Sequence, residues 1–259
     1  MSTALATSYE QQQHEGEGTR GARHSVEIGV DEAGRGPLFG RVYAAAVILP
    51  KADDQGESFA HQNMKDSKRF SSKKKLRQVA QYIRDHPGVK YSIQFVEPDV
   101  IDCINIRQAV LRAMHDAIRD VLRQLHPDCV SKTSTALPLL MIDGNDFRPY
   151  NHLVDETWMS IPHVTVEGGD NRYTCIAAAS ILAKVAHDDY IADLCQDYPA
   201  LIERYHLDKN VGYGTRQHLE GIQKYGITQW HRKSFARCND QVTVAHLSKD
   251  REEFDETLP

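Results

Sequence analysis

Two adjacent carboxylates, Asp31 and Glu32, end an alternating apolar run and lead straight into a glycine-rich turn, all within residues 26–49, VEIGVDEAGRGPLFGRVYAAAVIL. A strand end that opens onto a crevice is where α/β sheets usually place ligands. Carboxylates held close together raise one another's pKa or demand a cation, so these two residues mark a place for chemistry. Gly34, Gly36 and Gly40 let another backbone approach closely, and Arg35 stands between the first two with its five donors. The same residues also describe an ordinary hairpin loop, and taken alone they do not choose between the two readings.

A further carboxylate, Asp143, occupies a comparable position. Residues 137–142 form a short apolar run without polar alternation, as expected of a central strand buried on both faces, and Asp143-Gly144-Asn145 follows it. Asp143 is therefore placed like Asp31, although Asp-Gly after a strand is also common turn chemistry. Asp170 follows a short strand at 164–167 and two glycines, and precedes a long helix from 173 to about 194. On that helix Ile176, Ala179, Ser180, Ala183 and His187 share one face, whose small side chains allow close packing on a sheet.

The elements that must position these groups follow from periodicity and caps. Strands at 26–31 and 41–49 are joined tightly enough to be antiparallel neighbours. Ser71 or Ser72 caps a helix running to about 83, residues 89–96 alternate as a strand, and Pro98 opens a helical region reaching about 125. Seven of the thirteen residues from 65 to 77 are basic, which describes either a solvated helix face or a phosphate-binding surface.

The 259 residues, 41% apolar, suffice for one sizeable core. The apolar run at 43–49 is far too short to span a membrane, and residues 1–13 form no leader, so an unexported, cytoplasmic protein without membrane contact is expected. Five scattered cysteines without CxxC spacing read as small apolar residues in a reducing compartment, and the 13 histidines form no zinc motif. The formal charge of −5 divides into −1 for residues 1–24, −3 for 236–259 and −1 for the body, which leaves room for a basic nucleic-acid surface. Residues 1–24 are expected to be a disordered arm, 25–235 a single domain and 236–259 an acidic mobile tail.

The string DEAGRGPL at 31–38 resembles the signature of the type 2 ribonucleases H (ribonuclease HII), endonucleases that cut the RNA strand of RNA/DNA hybrids. Further motifs follow in order. Asp66-Ser67-Lys68 resembles the family's DSK element, with Arg69-Phe70 where Lys-Leu is usual, and residues 101–106 resemble its ID-x-x-NI segment. Asp170 stands at the GD motif, and Ser180 to Lys184 lie in the SI-x-AKV helix. Residues 210–215 with His218 resemble NKGYGT…H, with Val211 replacing the usual Lys, and residues 231–235 resemble HR-x-SF.

The resemblance spans residues 27–235 and implies an α/β, ribonuclease H-like fold: a five-stranded mixed sheet flanked by helices, with a C-terminal helical portion. It implies that Asp31, Glu32, Asp143 and Asp170 are the catalytic metal ligands, with Asp188 outside the set. All-oxygen ligation suits Mg²⁺ or Mn²⁺, and two such ions about 4 Å apart can activate water and stabilise the departing ribose 3′-oxygen, leaving 5′-phosphate and 3′-hydroxyl ends. Substrate contacts are implied for Gly34, Arg35, Gly36, Ser67, Lys68, Asn105, Lys184 and Tyr213, with the Gly-Arg-Gly backbone and the Tyr213 hydroxyl sensing the 2′-hydroxyl that separates RNA from DNA. The implied partners are RNA/DNA hybrid and duplex DNA carrying even one ribonucleotide, bound by a monomer. A type 3 ribonuclease H, which carries an extra N-terminal domain, and a non-catalytic hybrid-binding protein are the rivals; Gly-Arg-Gly argues against the first and the four carboxylates against the second.

Overall fold

The computed structural model describes residues 4–9, 26–51, 59–125, 137–154, 156–239, 244–245 and 247. The chain divides into two compact units, one from Met1–Arg35, Val42–Val96 and Ile106–His187, the other from Gly36–Arg41, Glu97–Asn105 and Asp188–Pro259.

The first unit holds a five-stranded mixed sheet. Strand β1 (Glu27–Ala33) pairs antiparallel with β2 (Val42–Ile48), which pairs antiparallel with β3 (Lys90–Val96). On its other side β1 runs parallel to β4 (Leu139–Asp143), and β4 runs parallel to β7 (His163–Val166), giving the order β3-β2-β1-β4-β7. The apolar runs form buried strands as expected, with every residue of β2 and Leu139 to Ile142 of β4 buried. Helix α1 (Lys73–Asp85) starts where Ser72 accepts a hydrogen bond from the Lys75 N–H at 3.2 Å. Helix α3 (Ile106–Leu122) lies on β2 and β3 through Ala109, Ala113, Ala117 and Val121, a stripe at i,i+4 spacing.

Helix α4 (Thr174–Asp197) is apolar nearly all round in its first turns, the mark of a buried helix, and Ile176 to Ala179 are fully buried. It crosses β1 at Gly29, where an added Cβ would fall 2.2 Å from the backbone of Cys175. Glycine is required there by this backbone-to-backbone approach.

Three features depart from the sequence expectations. The helical region after Pro98 is two helices, α2 (Pro98–Ile104) and α3, because Asn105 sits at φ 66° and ψ 161°, outside any helical conformation. A hairpin of β5 (Asn151–Val154) and β6 (Thr157–Ser160) carries no Asn-Gly or Asp-Gly signal; Glu156, at φ 61°, takes the left-handed position that such turns need. Residues 4–9, expected within a structureless arm, follow the start of α4. Ala6 donates to the Arg172 carbonyl at 2.8 Å and accepts from the Thr174 N–H at 3.0 Å, satisfying one of the donors that a helix N-terminus leaves unpaired. Residues 1–3 and 10–24 of that arm lie outside the described residues.

The second unit is mainly helical. Helices α5 (Ala200–Tyr205), α6 (Leu207–Asn210) and α7 (Arg216–Tyr225) enclose Phe39, Leu201, Tyr205, Leu207, Ile222 and Ile227. Within the stretch expected as a tail, β9 (Val244–Ala245) pairs parallel with β8 (Ile227–Thr228). Among the described residues no helix is long and apolar enough to cross a membrane. The four described cysteines are free, and burial pushes the thiols of Cys175, Cys195 and Cys238 up to about 12, 11 and 11, so these three are packing groups.

Candidate active site

Parallel pairing brings strand ends together. Val30 is in register with Ile142, so Asp31 and Asp143, one step further along β1 and β4, leave the sheet at the same edge. Asp143 in turn is in register with Val166, the end of β7, and the 3₁₀ turn Gly169–Asn171 that follows β7 carries Asp170. Glu32 is next to Asp31 on β1 and faces the other way, as successive strand residues must. All four expected metal ligands thus belong to the first unit.

Their charges oppose one another. Burial raises the Asp31 carboxyl well above its ordinary range, and the charges of Asp143 and Glu32 raise it further. Glu32 is raised mainly by burial, against the opposing pull of Arg35, whose guanidinium lies 3.5 Å away. Burial also raises Asp143, while the Gly169, Asp170 and Gly144 N–H groups hold it back. Asp170 is raised by burial, then by Asp66 and Asp143.

Hydrogen bonds hold these oxygens in place. Asp31 accepts from the Glu32 N–H at 2.7 Å and bonds the Ser180 hydroxyl. Asp143 accepts from the Gly169 N–H at 2.7 Å, and Asp170 accepts from the Asn171 amide at 3.0 Å. Among the described residues no three His, Cys, Asp or Glu side chains stand close enough, as placed, to enclose an ion. The donor set nevertheless fits a hard divalent cation: it is all oxygen, partly desolvated and mutually repelling, the combination that a Mg²⁺ or Mn²⁺ ion neutralises. Glu32 and Asp143 also line one cleft with Arg35, Arg107, Asn145 and Asp146.

The expected substrate residues are distributed as follows. In the first unit Gly34 is buried at φ 84°, Arg35 and Lys68 are exposed, and Lys184 is half-buried on α4. Lys68 lowers both Asp143 and Asp170 through its charge. Ser67 is turned inward, 7% exposed, with its hydroxyl 3.1 Å from that of Ser180. Burial of a small hydroxyl needs such a partner, so Ser67 reaches Asp31 through Ser180 rather than facing solvent.

In the second unit Asn105 is exposed, and the Tyr213 ring stands beside Gly36. That neighbourhood is tied together by Leu38 N–H to Gly212 O, Gly40 N–H to Trp230 O and Arg232 N–H to Leu38 O, each 2.9 Å. Arg232, fully buried, donates its guanidinium to the carbonyls of Pro37, Gly40 and Arg41 at 2.8–3.0 Å. Asp188 falls in the second unit.

The family model for ribonuclease HII matches residues 28–238. The chain belongs to the ribonuclease HII family. It is 42% identical to the ribonuclease HII of Parabacteroides distasonis over 85% of this chain and 94% of that one, and 41% identical to that of Bacteroides fragilis over 83% and 91%. Its fold is similar to the crystal structure of the ribonuclease H2 from Pyrococcus horikoshii OT3, with TM-score 0.59 at 18% identity over 83% of this chain and 95% of the other. Family membership makes this ribonuclease HII chain a metal-dependent endoribonuclease acting on the RNA of RNA/DNA hybrids.

Three residues of this ribonuclease HII chain were not assigned a role by sequence reasoning. Ser180 read as a small packing residue, yet it bonds Asp31. Asn171 bridges Asp170 to Arg69, whose guanidinium donates to the Asn171 side-chain oxygen Oδ1 at 3.2 Å, and nothing in its local sequence marks it. Arg232 carried a signal, its place in HR-x-SF, without a function attached.

Proposed function

We propose that this protein, through the domain at 25–235, cleaves at ribonucleotides within RNA/DNA hybrids and also at single ribonucleotides embedded in duplex DNA, as a cytoplasmic monomer. Asp31, Glu32, Asp143 and Asp170 hold two divalent ions, Mg²⁺ or Mn²⁺. Bound there, such ions would supply water activation and charge neutralisation at the departing 3′-oxygen, and the products would carry 5′-phosphate and 3′-hydroxyl ends. The protein's part is to hold the four carboxylates at one sheet edge, with Ser180 and the Gly169 N–H orienting Asp31 and Asp143. Lys68 and its basic neighbours bind phosphate, and Asn105 and Lys184 bear on the nucleic-acid backbone. Gly34, Arg35 and Gly36 engage the 2′-hydroxyl through the backbone, with the Tyr213 hydroxyl as a second contact and its ring stacked on the neighbouring sugar.

The single observation that supports this reading best is the parallel register of β1 and β4, which sets Asp31 and Asp143 side by side as mutually repelling acids. The deciding experiment is cleavage of a DNA duplex carrying one ribonucleotide, with and without Mg²⁺ or Mn²⁺. Metal-dependent scission at the ribonucleotide that leaves 5′-phosphate and 3′-hydroxyl ends bears the reading out; cutting confined to long hybrids removes the embedded ribonucleotide from it.

A further inference from the structure

Beneath the Tyr213 loop lie two histidines that the proposed chemistry leaves unused. His218 and His231 are 0% and 1% exposed, and their Nε2 atoms are 3.1 Å apart. The groups at either end fix where the protons sit. The Thr228 N–H reaches His231 Nδ1 at 2.9 Å, so Nδ1 accepts and the His231 proton is on Nε2. That proton points at His218 Nε2, which must accept, and His218 therefore carries its own proton on Nδ1. The Nδ1–H lies 2.9 Å from the Tyr213 carbonyl oxygen. Donation runs in one direction, from Thr228 through His231 and His218 to the Tyr213 peptide.

The Tyr213 backbone is held on both sides. Its carbonyl also accepts from the Thr215 N–H at 2.8 Å, and its N–H donates to the Asn210 carbonyl at 3.0 Å, while the ring remains 45% exposed. Tyr205 and Phe39 set ring edges against His231 at 5.0 Å, an apolar surround that favours neutral imidazoles. An independent observation shows that the loop needs an anchor. Val211 sits at φ 51°, a left-handed conformation that a β-branched residue resists and that persists where surroundings over-determine it.

We propose that His218 and His231 are a positioning pair for substrate selection: through their fixed tautomers they lock the Tyr213 peptide, and so the exposed ring, in the pose that meets a ribose in a DNA duplex. The proposal rests on Tyr213 sensing the sugar.

The test uses the whole chain with Mg²⁺ and compares kcat/KM on a DNA duplex carrying one ribonucleotide with that on a long RNA/DNA hybrid. His218→Asn keeps an amide N–H where Nδ1 stood and loses the link to His231. His218→Gln reaches His231 and loses the donor to Tyr213. The expected result is that His218→Asn retains the preference for the embedded ribonucleotide within about twofold, whereas His218→Gln lowers it about fivefold, the worth of one neutral hydrogen bond. Equal losses in both variants, in step with their thermal midpoints, would show a pair that merely fills the core and would overturn the proposal.

Tyr213→Ala separates the two ideas. If it leaves the preference unchanged, sugar sensing by Tyr213 fails; if it lowers the preference while His218→Gln does not, the positioning pair alone fails. Should the variants not fold, ¹⁵N spectra of the wild-type imidazoles decide: Nδ1–H on His218 with Nε2–H on His231 is the expected pattern, and any other assignment overturns it.

Discussion

A Cβ added to Gly36 would lie 3.4 Å from Cε1 of the Tyr213 ring, at the edge of ordinary contact. The gap between these two residues is therefore one methyl group wide, and Gly36 does not need its glycine for a left-handed backbone. Gly36→Ala should fold normally, with stability changed by about 0.5 kcal/mol or less. Cleavage at an embedded ribonucleotide should fall by up to about 100-fold, the cost of displacing a reacting group by roughly 1 Å. Thermal melting and single-turnover cleavage check the two halves; unchanged cleavage would take Gly36 away from the sugar.

Removing one of four repelling acids should relieve the fold while ending the chemistry. Asp31→Asn and Asp143→Asn keep an oxygen acceptor for their N–H partners, so the metal-free proteins should melt at or above the wild-type temperature, and cleavage should be abolished. Added Mg²⁺ should raise the wild-type midpoint and raise those of the variants less, because a ligand stabilises in proportion to its binding to the native state. Calorimetry with and without Mg²⁺ measures both. A variant that still cleaves removes its residue from the site.

The histidine pair predicts a pH dependence of stability. Burial, and for His231 also the His218 charge, lowers the folded-state pKa of both below the ordinary 6.5. In that case the unfolded chain binds protons first as pH falls, so the stability present above 6.5 is lost as pH drops through and below that value. His231→Gln removes one such group and should flatten the fall in melting temperature between neutral and acid pH relative to wild type. Parallel curves for the two proteins would show that His231 titrates alike folded and unfolded.

Lys68, Lys73 and Lys74 are all exposed, so replacing them with Ala leaves no cavity. If they neutralise phosphates, binding to hybrid should weaken and the slope of log K against log salt should flatten by about 0.9 for each phosphate that is no longer neutralised. Binding measured across salt concentrations gives the slope directly, and an unchanged slope returns this segment to an ordinary solvated surface.

At Gly29 strand β1 comes directly against the backbone of α4. Gly29→Ala would drive a methyl into the Cys175 and Ile176 backbone, 2.2–2.5 Å away, and should cost about 3 kcal/mol as overpacking that no rotamer can relieve. Urea unfolding tests this, and a loss below about 1 kcal/mol would mean that α4 can shift off β1 freely.

What the sequence determined by itself is what short-range physics governs. Alternation marked β1 and β3, a serine at 71 or 72 marked the start of α1, and an unbroken apolar run marked β4 as buried on both faces, because periodicity and capping depend on neighbours a few residues away. Motif order likewise singled out the four carboxylates. Tertiary structure decided the rest. Ser67 meets Ser180 across 113 residues, and Arg232 meets the Pro37 carbonyl across 195. No local pattern distinguishes a serine that packs from one that bonds a buried acid, or an arginine that meets solvent from one that braces a loop. The break at Asn105, the strained Val211 and the protons of His218 and His231 have the same origin: each conformation is unfavourable or undetermined locally, and interactions with distant parts of the chain select it.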